Sequence, residues 1–89
     1  MDTQEAIYRV SGEEDIFSYA RHNRLAHLRR CLDGGYDVES RDYGGNTVLI
    51  VGAQNGLKNV IKCALRRGGQ MDTQNDMGNT GLHFAYAYG

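Results

Sequence analysis

Residues 44–56 read GGNTVLIVGAQNG, and residues 77–89 read MGNTGLHFAYAYG. Gly45 and Gly78, Asn46 and Asn79, Thr47 and Thr80, Leu49 and Leu82, Ala53 and Tyr86, and Gly56 and Gly89 are each separated by 33 positions. One offset held across a whole segment is the signature of an internal repeat, which determines the architecture before any local propensity does. The same offset extends backward. It pairs Ala53 with Ala20, Ile61 with Leu28, Leu65 with Leu32 and Gly68 with Gly35, and it sets Asp72, Thr73 and Asn75 against Glu39, Ser40 and Asp42. Three copies follow: residues 11–41, residues 42–74, and a partial copy over residues 75–89, after an N-terminal extension of residues 1–10.

Each copy has the form of two short helices and a turn. In the second, Thr47 is placed to cap a helix through VLIVGAQN, and Gly56 to end it in a left-handed conformation. Leu57, Val60, Ile61, Ala64 and Leu65 then form one apolar stripe at helical period, which predicts a second helix from Leu57 to about Arg67, stopped by Gly68 and Gly69. The following QMDTQNDMGN is polar and turn-rich, an extended connector or hairpin. In the first copy Ser11 and Glu14 have capping-box spacing. There Ile16, Phe17 and Ala20 are the apolar residues of one helix, and Leu25, Leu28, Cys31 and Leu32 those of the next.

Asp42, Gly45, Thr47, Leu49, Ala53, Gly56, Leu65 and Gly68, and again Gly78, Thr80, Leu82, His83 and Gly89, resemble the ankyrin repeat, whose period is also 33 residues. The resemblance covers residues 13–89 and implies an all-α solenoid of stacked helix-turn-helix units with short β-hairpin or loop connectors. The first copy is the weakest match and resembles a cap, with Asn23 where the turn glycine is expected and Glu14 where the threonine is. The family's Thr-Pro-Leu-His tetrapeptide is represented by TVLI and TGLH, without its proline. Losing a proline preset for the first turn is expected to lower stability without changing the fold, and Gly81 is a poor helix-starting substitute. By the same resemblance, His83 is expected to tie neighbouring turns together by hydrogen bonds.

Composition bounds what such a chain does. Its 89 residues carry a net charge of −1, with 40% hydrophobic and 24% charged residues, the balance of a folded domain. No apolar run approaches the roughly 18 residues of a membrane span, and MDTQEAIYRV has no secretory pattern, so no membrane partner and an intracellular (cytoplasmic) setting are expected. Cys31 and Cys63 show no disulfide-like spacing and are expected as free thiols in helices.

Chemistry-bearing motifs fail one by one. His27 and Cys31 share a helix face, but no further ligands lie at zinc-site spacing. GAQNGLK has only three residues between its glycines and lacks the Gly-Lys-Ser/Thr ending of a phosphate loop. DTQNDMGN begins like a calcium loop, yet Met77 stands at the required glycine and His83 at the bidentate glutamate. No cofactor, metal or catalytic set is expected, and the chain is expected not to be an enzyme.

What remains is surface. Stacked repeats align equivalent positions into ladders along a concave face. The resemblance implies a protein–protein interaction module that binds through hairpin tips and the exposed side of the first helix. Those positions are Arg21 and His22; Tyr43, Gly44, Asn46, Gln54 and Asn55; and Asp76, Met77, Asn79, Ala87 and Tyr88. Tyr43, Met77 and Tyr88 are the expected anchors, since large amphipathic or soft side chains carry interface energy. The same positions also fit a solvated polar face. A regulatory segment of a larger enzyme or channel is the alternative reading, and the balanced charge disfavours nucleic acid as a partner. On the second helices, Arg29 and Lys62 are equivalent, and Arg30, Lys58, Arg66 and Arg67 extend a cationic stripe, either a solvated face or a site for an acidic partner.

The third copy ends where its second helix would begin, so Leu82, Phe84 and Tyr86 are expected to lack half their neighbours. Arrays need about three units and a polar terminal cap. The open end is therefore expected to continue into further repeats, to self-associate or to dock elsewhere. Calorimetry and sizing of the 89-residue chain test this expectation, which predicts self-association or a low, broad transition. A cooperative monomer melting above about 60 °C would overturn it.

Overall fold

The computed structural model describes residues 15–88, with side chains through residue 85. The N-terminal extension, the Ser11–Glu14 capping box and Gly89 lie outside the described residues. Five helices follow in order: α1 (Ile16–Arg21), α2 (Leu25–Asp33), α3 (Val48–Gln54), α4 (Lys58–Arg66) and α5 (Gly81–Tyr88). Among the described residues there is no strand, and the fold is all-α.

Local chemistry sets the helix ends. Thr47 is extended (φ −83°, ψ 170°) and its Oγ1 accepts from the Ile50 N–H at 3.3 Å, which caps α3 as its sequence implies. Asp15 does the same for α1, its Oδ1 accepting from the Ser18 N–H at 2.9 Å. Gly56 ends the turn after α3 at φ +66°, and Asn23 takes the equivalent conformation at φ +59°. Asparagine tolerates this left-handed region better than other side chains, which is why it can stand where the repeat otherwise uses glycine.

The 33-residue period is written into the backbone as well as the sequence. The Arg24 N–H donates to Tyr19 O and the Leu57 N–H to Gly52 O, both at 2.8 Å. Tyr36 N–H to Cys31 O recurs as Gly69 N–H to Ala64 O, and Asp42 N–H to Asn46 O recurs as Asn75 N–H to Asn79 O. Each hairpin is closed by this bond and by a tighter turn inside it, Gly45 N–H to Asp42 O at 3.0 Å and Gly78 N–H to Asn75 O at 2.9 Å. That is too short for a strand ladder, so of the β-hairpin or loop connectors expected, the described residues form hydrogen-bonded loops.

α3 is the centre of the packing and lies against α1, α4 and α5. Val48, Leu49, Ile50, Val51, Gly52 and Ala53 are all buried, a helix without a solvent face. The core joins them to Ile16, Phe17 and Ala20 of α1, Leu28 and Leu32 of α2, and Val60, Cys63 and Ala64 of α4. Burying each large aliphatic residue contributes about 1.5–3 kcal/mol. Cys31, half-buried, and Cys63, buried, are free thiols. Gly52 permits the α3–α4 approach, since a Cβ there would come within 2.7 Å of Val60 Cγ1. Gly81 is likewise required rather than merely tolerated, because a Cβ would press on a Leu49 methyl group that has no room to withdraw.

One expectation is overturned. Leu65, placed in the core by its register, is 42% exposed, whereas its equivalent Leu32 is 8% exposed. The pattern repeats one turn earlier, where Ile61 is half-buried and Leu28 is fully buried. The reason is positional: α2 has α4 alongside it, while no further helix flanks α4 among the described residues. Leu82 of α5 is similarly 51% exposed against 0% for Leu49.

This difference predicts that Leu32→Ala lowers stability by about 2–5 kcal/mol, as for buried leucine truncations. Leu65→Ala should cost under about 2 kcal/mol, since much of its surface is already in water. Chemical denaturation of both variants checks the contrast, and equal losses would place Leu65 in a covered core.

Candidate interaction surface

The two hairpins carry the surface, and their tips are built by the same device. Asp42 Oδ1 accepts from the Gly44 and Asn46 N–H groups, both at 2.9 Å. Asn75 Oδ1 accepts from those of Met77 at 3.0 Å and Asn79 at 2.9 Å. These side-chain-to-backbone bonds fold each tip without neighbouring strands.

The tips are then locked to one another. The Asp76 N–H donates to Gly44 O at 2.9 Å, and Asn75 Nδ2 donates to Asn46 Oδ1 at 2.9 Å. Asn46 Oδ1 also accepts from Gln54 Nε2 at 3.3 Å, while Asn46 Nδ2 reaches Asp42 Oδ2 at 3.3 Å. Below the tips, Arg41 donates to Gln74 O at 2.7 Å, and Glu39 accepts from Thr73 Oγ1 at 2.6 Å and the Gln70 N–H at 3.1 Å. Gly45 sits inside this lock at φ +78°. A Cβ there would collide with Asp76, within 2.9 Å of its backbone nitrogen as well as against its carboxylate.

The candidate residues therefore divide. Tyr43 is fully exposed and Met77 is 83% exposed, so both project from the tips as the sequence suggests. Asp76 is exposed beside them. Tyr43 and Arg21 also line one groove of about 370 Å³ with Asp15, Phe17, Arg41 and Asp42. This groove joins the first hairpin to the first helix.

Asn46, Gln54 and Asn79 are half-buried, with polar groups engaged in the lock or its turns. Asn55 donates its side-chain N–H to Val51 O at 2.8 Å, and the His22 ring Nδ1 donates to Ser18 O at 3.0 Å, so both finish helices. Tyr88 and Ala87 lie in α5, and their side chains lie outside those described. His83 is exposed, its ring edge-on to Phe84 at 5.6 Å. The turn-to-turn bonds expected of it are made by Asn46, Asn75 and Asp76. The Asn46–Asn75 pair was missed as a unit, because the two residues do not occupy equivalent positions and only the stacked structure joins them. The signal lay in Asp42 and Asn75, the aligned Asx residues that begin each tip.

Among the described residues there is no cluster of three or more metal-ligating side chains, and no helix is long and apolar enough to cross a membrane.

The geometry defines an all-helical module of stacked helix pairs whose tips form a continuous, hydrogen-bonded edge. No family model matches the chain. It is 36% identical over 70 residues to Protein fem-1 homolog A of Danio rerio, covering 79% of this chain and 11% of that protein. It is 34% identical over 82 residues to Serine/threonine-protein kinase VIK of Arabidopsis thaliana, covering 91% of this chain and 19% of the kinase. Serine/threonine-protein kinase 12 of the same plant is 28% identical over 79 residues, covering 89% of this chain and 17% of the kinase. The chain thus spans less than a fifth of the length of each of these relatives.

Asn75 is only 9% exposed, so removing its partner strands a buried amide. Asn46→Ala should lower stability by about 1–3 kcal/mol. In a double-mutant cycle with Asn75→Ala, the pair should show a coupling of about 0.5–3 kcal/mol. Additive losses in denaturant titrations would show that the amides act independently.

Proposed function

We propose that this chain is an ankyrin-repeat protein-interaction module that binds another protein through its hairpin tips and the adjoining side of its first helices. The observation that carries this reading is the rigid edge itself. Two tips, bonded to each other through Asp76 and Gly44, hold Tyr43 and Met77 almost wholly in water. An exposed aromatic and a flexible thioether on a fixed backbone contribute little to folding; the aromatic loses little conformational freedom when a partner covers it, and the thioether adapts to the surface it meets. The 33-residue recurrence of caps, turns and hydrogen bonds supports the ankyrin assignment. The module is read as non-enzymatic and intracellular, and its contacts come from Arg21, Tyr43, Asp76, Met77 and Tyr88. Asn46, Gln54, Asn55, Asn79 and His22 serve chiefly to hold that edge in shape.

A second reading rests on the likeness to two serine/threonine kinases, of which this chain covers 19% and 17%. In a longer protein of that type, the same edge would position a catalytic domain carried elsewhere in the chain.

A photo-crosslinking side chain at position 43 should capture the partner, and titration calorimetry then measures its affinity. Tyr43→Ala and Met77→Ala are each expected to weaken binding by about tenfold or more, with no measurable change in melting temperature. Undiminished affinity in both variants would remove the tips from the interface.

A further inference from the structure

The surface of α2 and α4 carries a second feature, which shares no residue with the tips. α2 and α4 lie side by side, and between their outer faces runs a groove of about 340 Å³. Arg29, Lys62, Arg66 and Arg67 line it, with Leu25 and Cys63 contributing apolar surface. Arg29 and Lys62 are equivalent positions of successive repeats, and Lys62 and Arg66 are one helical turn apart. The stacking therefore gathers into one groove cations that are dispersed along the sequence. The chain's net charge of −1 conceals this concentration.

One of the four cations shows what the groove accepts. Arg67 Nε donates to Asp33 Oδ1 at 2.9 Å and its terminal nitrogen to Asp33 Oδ2 at 3.4 Å, a forked carboxylate contact between the two repeats. A further Arg67 N–H reaches Cys63 O at 3.2 Å, so the guanidinium is fixed in place. Arg29, Lys62 and Arg66 are exposed and have no carboxylate partner among the described residues. We infer that this groove is a second docking site, distinct from the hairpin tips, and that it takes an acidic peptide segment whose carboxylates pair with Arg29, Lys62 and Arg66.

The dimensions favour a short acidic peptide over a nucleic acid. Parallel neighbouring helices are about 8–10 Å apart, and an extended peptide rises about 3.3 Å per residue. Acids about three residues apart can therefore bridge α2 and α4. A nucleic-acid duplex carries one charge per roughly 1.7 Å of axis and requires a long cationic track. Here the track is four residues, one of them already satisfied by Asp33. Leu25 and Cys63 add an apolar floor that suits the methylene groups of glutamate.

Fluorescence anisotropy of the full chain with a fluorescein-labelled oligoglutamate peptide tests the inference, with a labelled oligothymidine of equal charge measured in parallel. Oligoglutamate should bind more tightly than oligothymidine, and its affinity should fall as salt rises. Arg29→Glu with Lys62→Glu should weaken peptide binding by about tenfold or more, as expected when two charge pairs become repulsive. Arg30→Glu with Lys58→Glu changes net charge equally on the same two helices but outside the groove lining, and should weaken it by less than about threefold. All four positions are exposed, and circular dichroism melts confirm that each variant is folded. Equal losses in the two double variants would reduce the effect to net charge and overturn the site. Tighter binding of oligothymidine would assign the groove to nucleic acid, and no binding of either probe would also overturn the inference. Because Tyr43 and Met77 lie on the tips, loss of binding there leaves this result unaffected, and the two readings fail separately.

Discussion

The structure depends on one constraint: α3 has no side that tolerates water. Six successive residues from Val48 to Ala53 are buried, so the helix must be covered by its own partner α4 and by a first helix on either side. A seven-residue helix is far too short to persist alone, and its stability comes from that enclosure. Its two ends are specified independently, by Thr47 at the start and by the left-handed Gly56 after the end. The enclosure also explains the small residues around it. Gly52 lets α4 come close and Gly81 makes room for Leu49, so each removes a side chain where two helices meet.

Apolar enclosure fixes which helices touch, but it does not fix their relative height. That is the role of the polar bonds at the hairpins. Apolar contacts tolerate sliding, whereas a carbonyl, a carboxylate and an amide each satisfied by a residue of the next unit do not. Arg41 reaches Gln74, Glu39 reaches Thr73 and Gln70, and Asn46 meets Asn75. Several of these bonds span about one repeat in sequence, so they set the stacking register directly. The tips that project Tyr43 and Met77 are consequently tied both internally and to each other, although they carry no strand.

The parts of this arrangement legible in the sequence are those governed within a single repeat. The Thr47 cap, the helix stripe of α4 and the left-handed turn at Gly56 follow from spacing, and Asn23 in the weakest copy adopts the glycine conformation its alignment assigns. Interactions between repeats were less visible. Leu65 matches Leu32 in pattern, but burial depends on what lies beyond, and pattern carries no information about a neighbour. Gly81 looked like a poor helix start because propensity is local, whereas its cause is a leucine of another repeat. Asn46, Gln54 and Asn79 are contact residues by resemblance to the repeat family, and the structure finds the Asn46 and Gln54 side chains occupied by the lock, while Asn79 enters it through its backbone N–H. A polar residue in a repeat ladder has two possible employers, the partner and the next repeat, and only side-chain geometry separates them.

The same stacking gives the two sides of the molecule different chemistry. On the tip side, successive units exchange backbone and amide bonds, which consume polar groups and leave Tyr43 and Met77 exposed beside Asp76. On the helix side, Leu28 and Leu32 of α2 and Val60, Cys63 and Ala64 of α4 belong to one apolar core, and Arg67 pairs with Asp33 between the two repeats. Arg66 lies in the last turn of α4, where the helix dipole favours a cation, whereas Arg29 and Lys62 are equivalent mid-helix positions that each repeat carries without reference to its neighbour. Stacking then places them side by side. The Asp33 hydrogen bonds raise the Arg67 pKa above the ordinary guanidinium value and outweigh the opposing effect of burial, so that residue stays charged throughout any working pH. A period chosen for packing thus concentrates charge on one side and exposed apolar anchors on the other, without either being encoded as a contiguous motif.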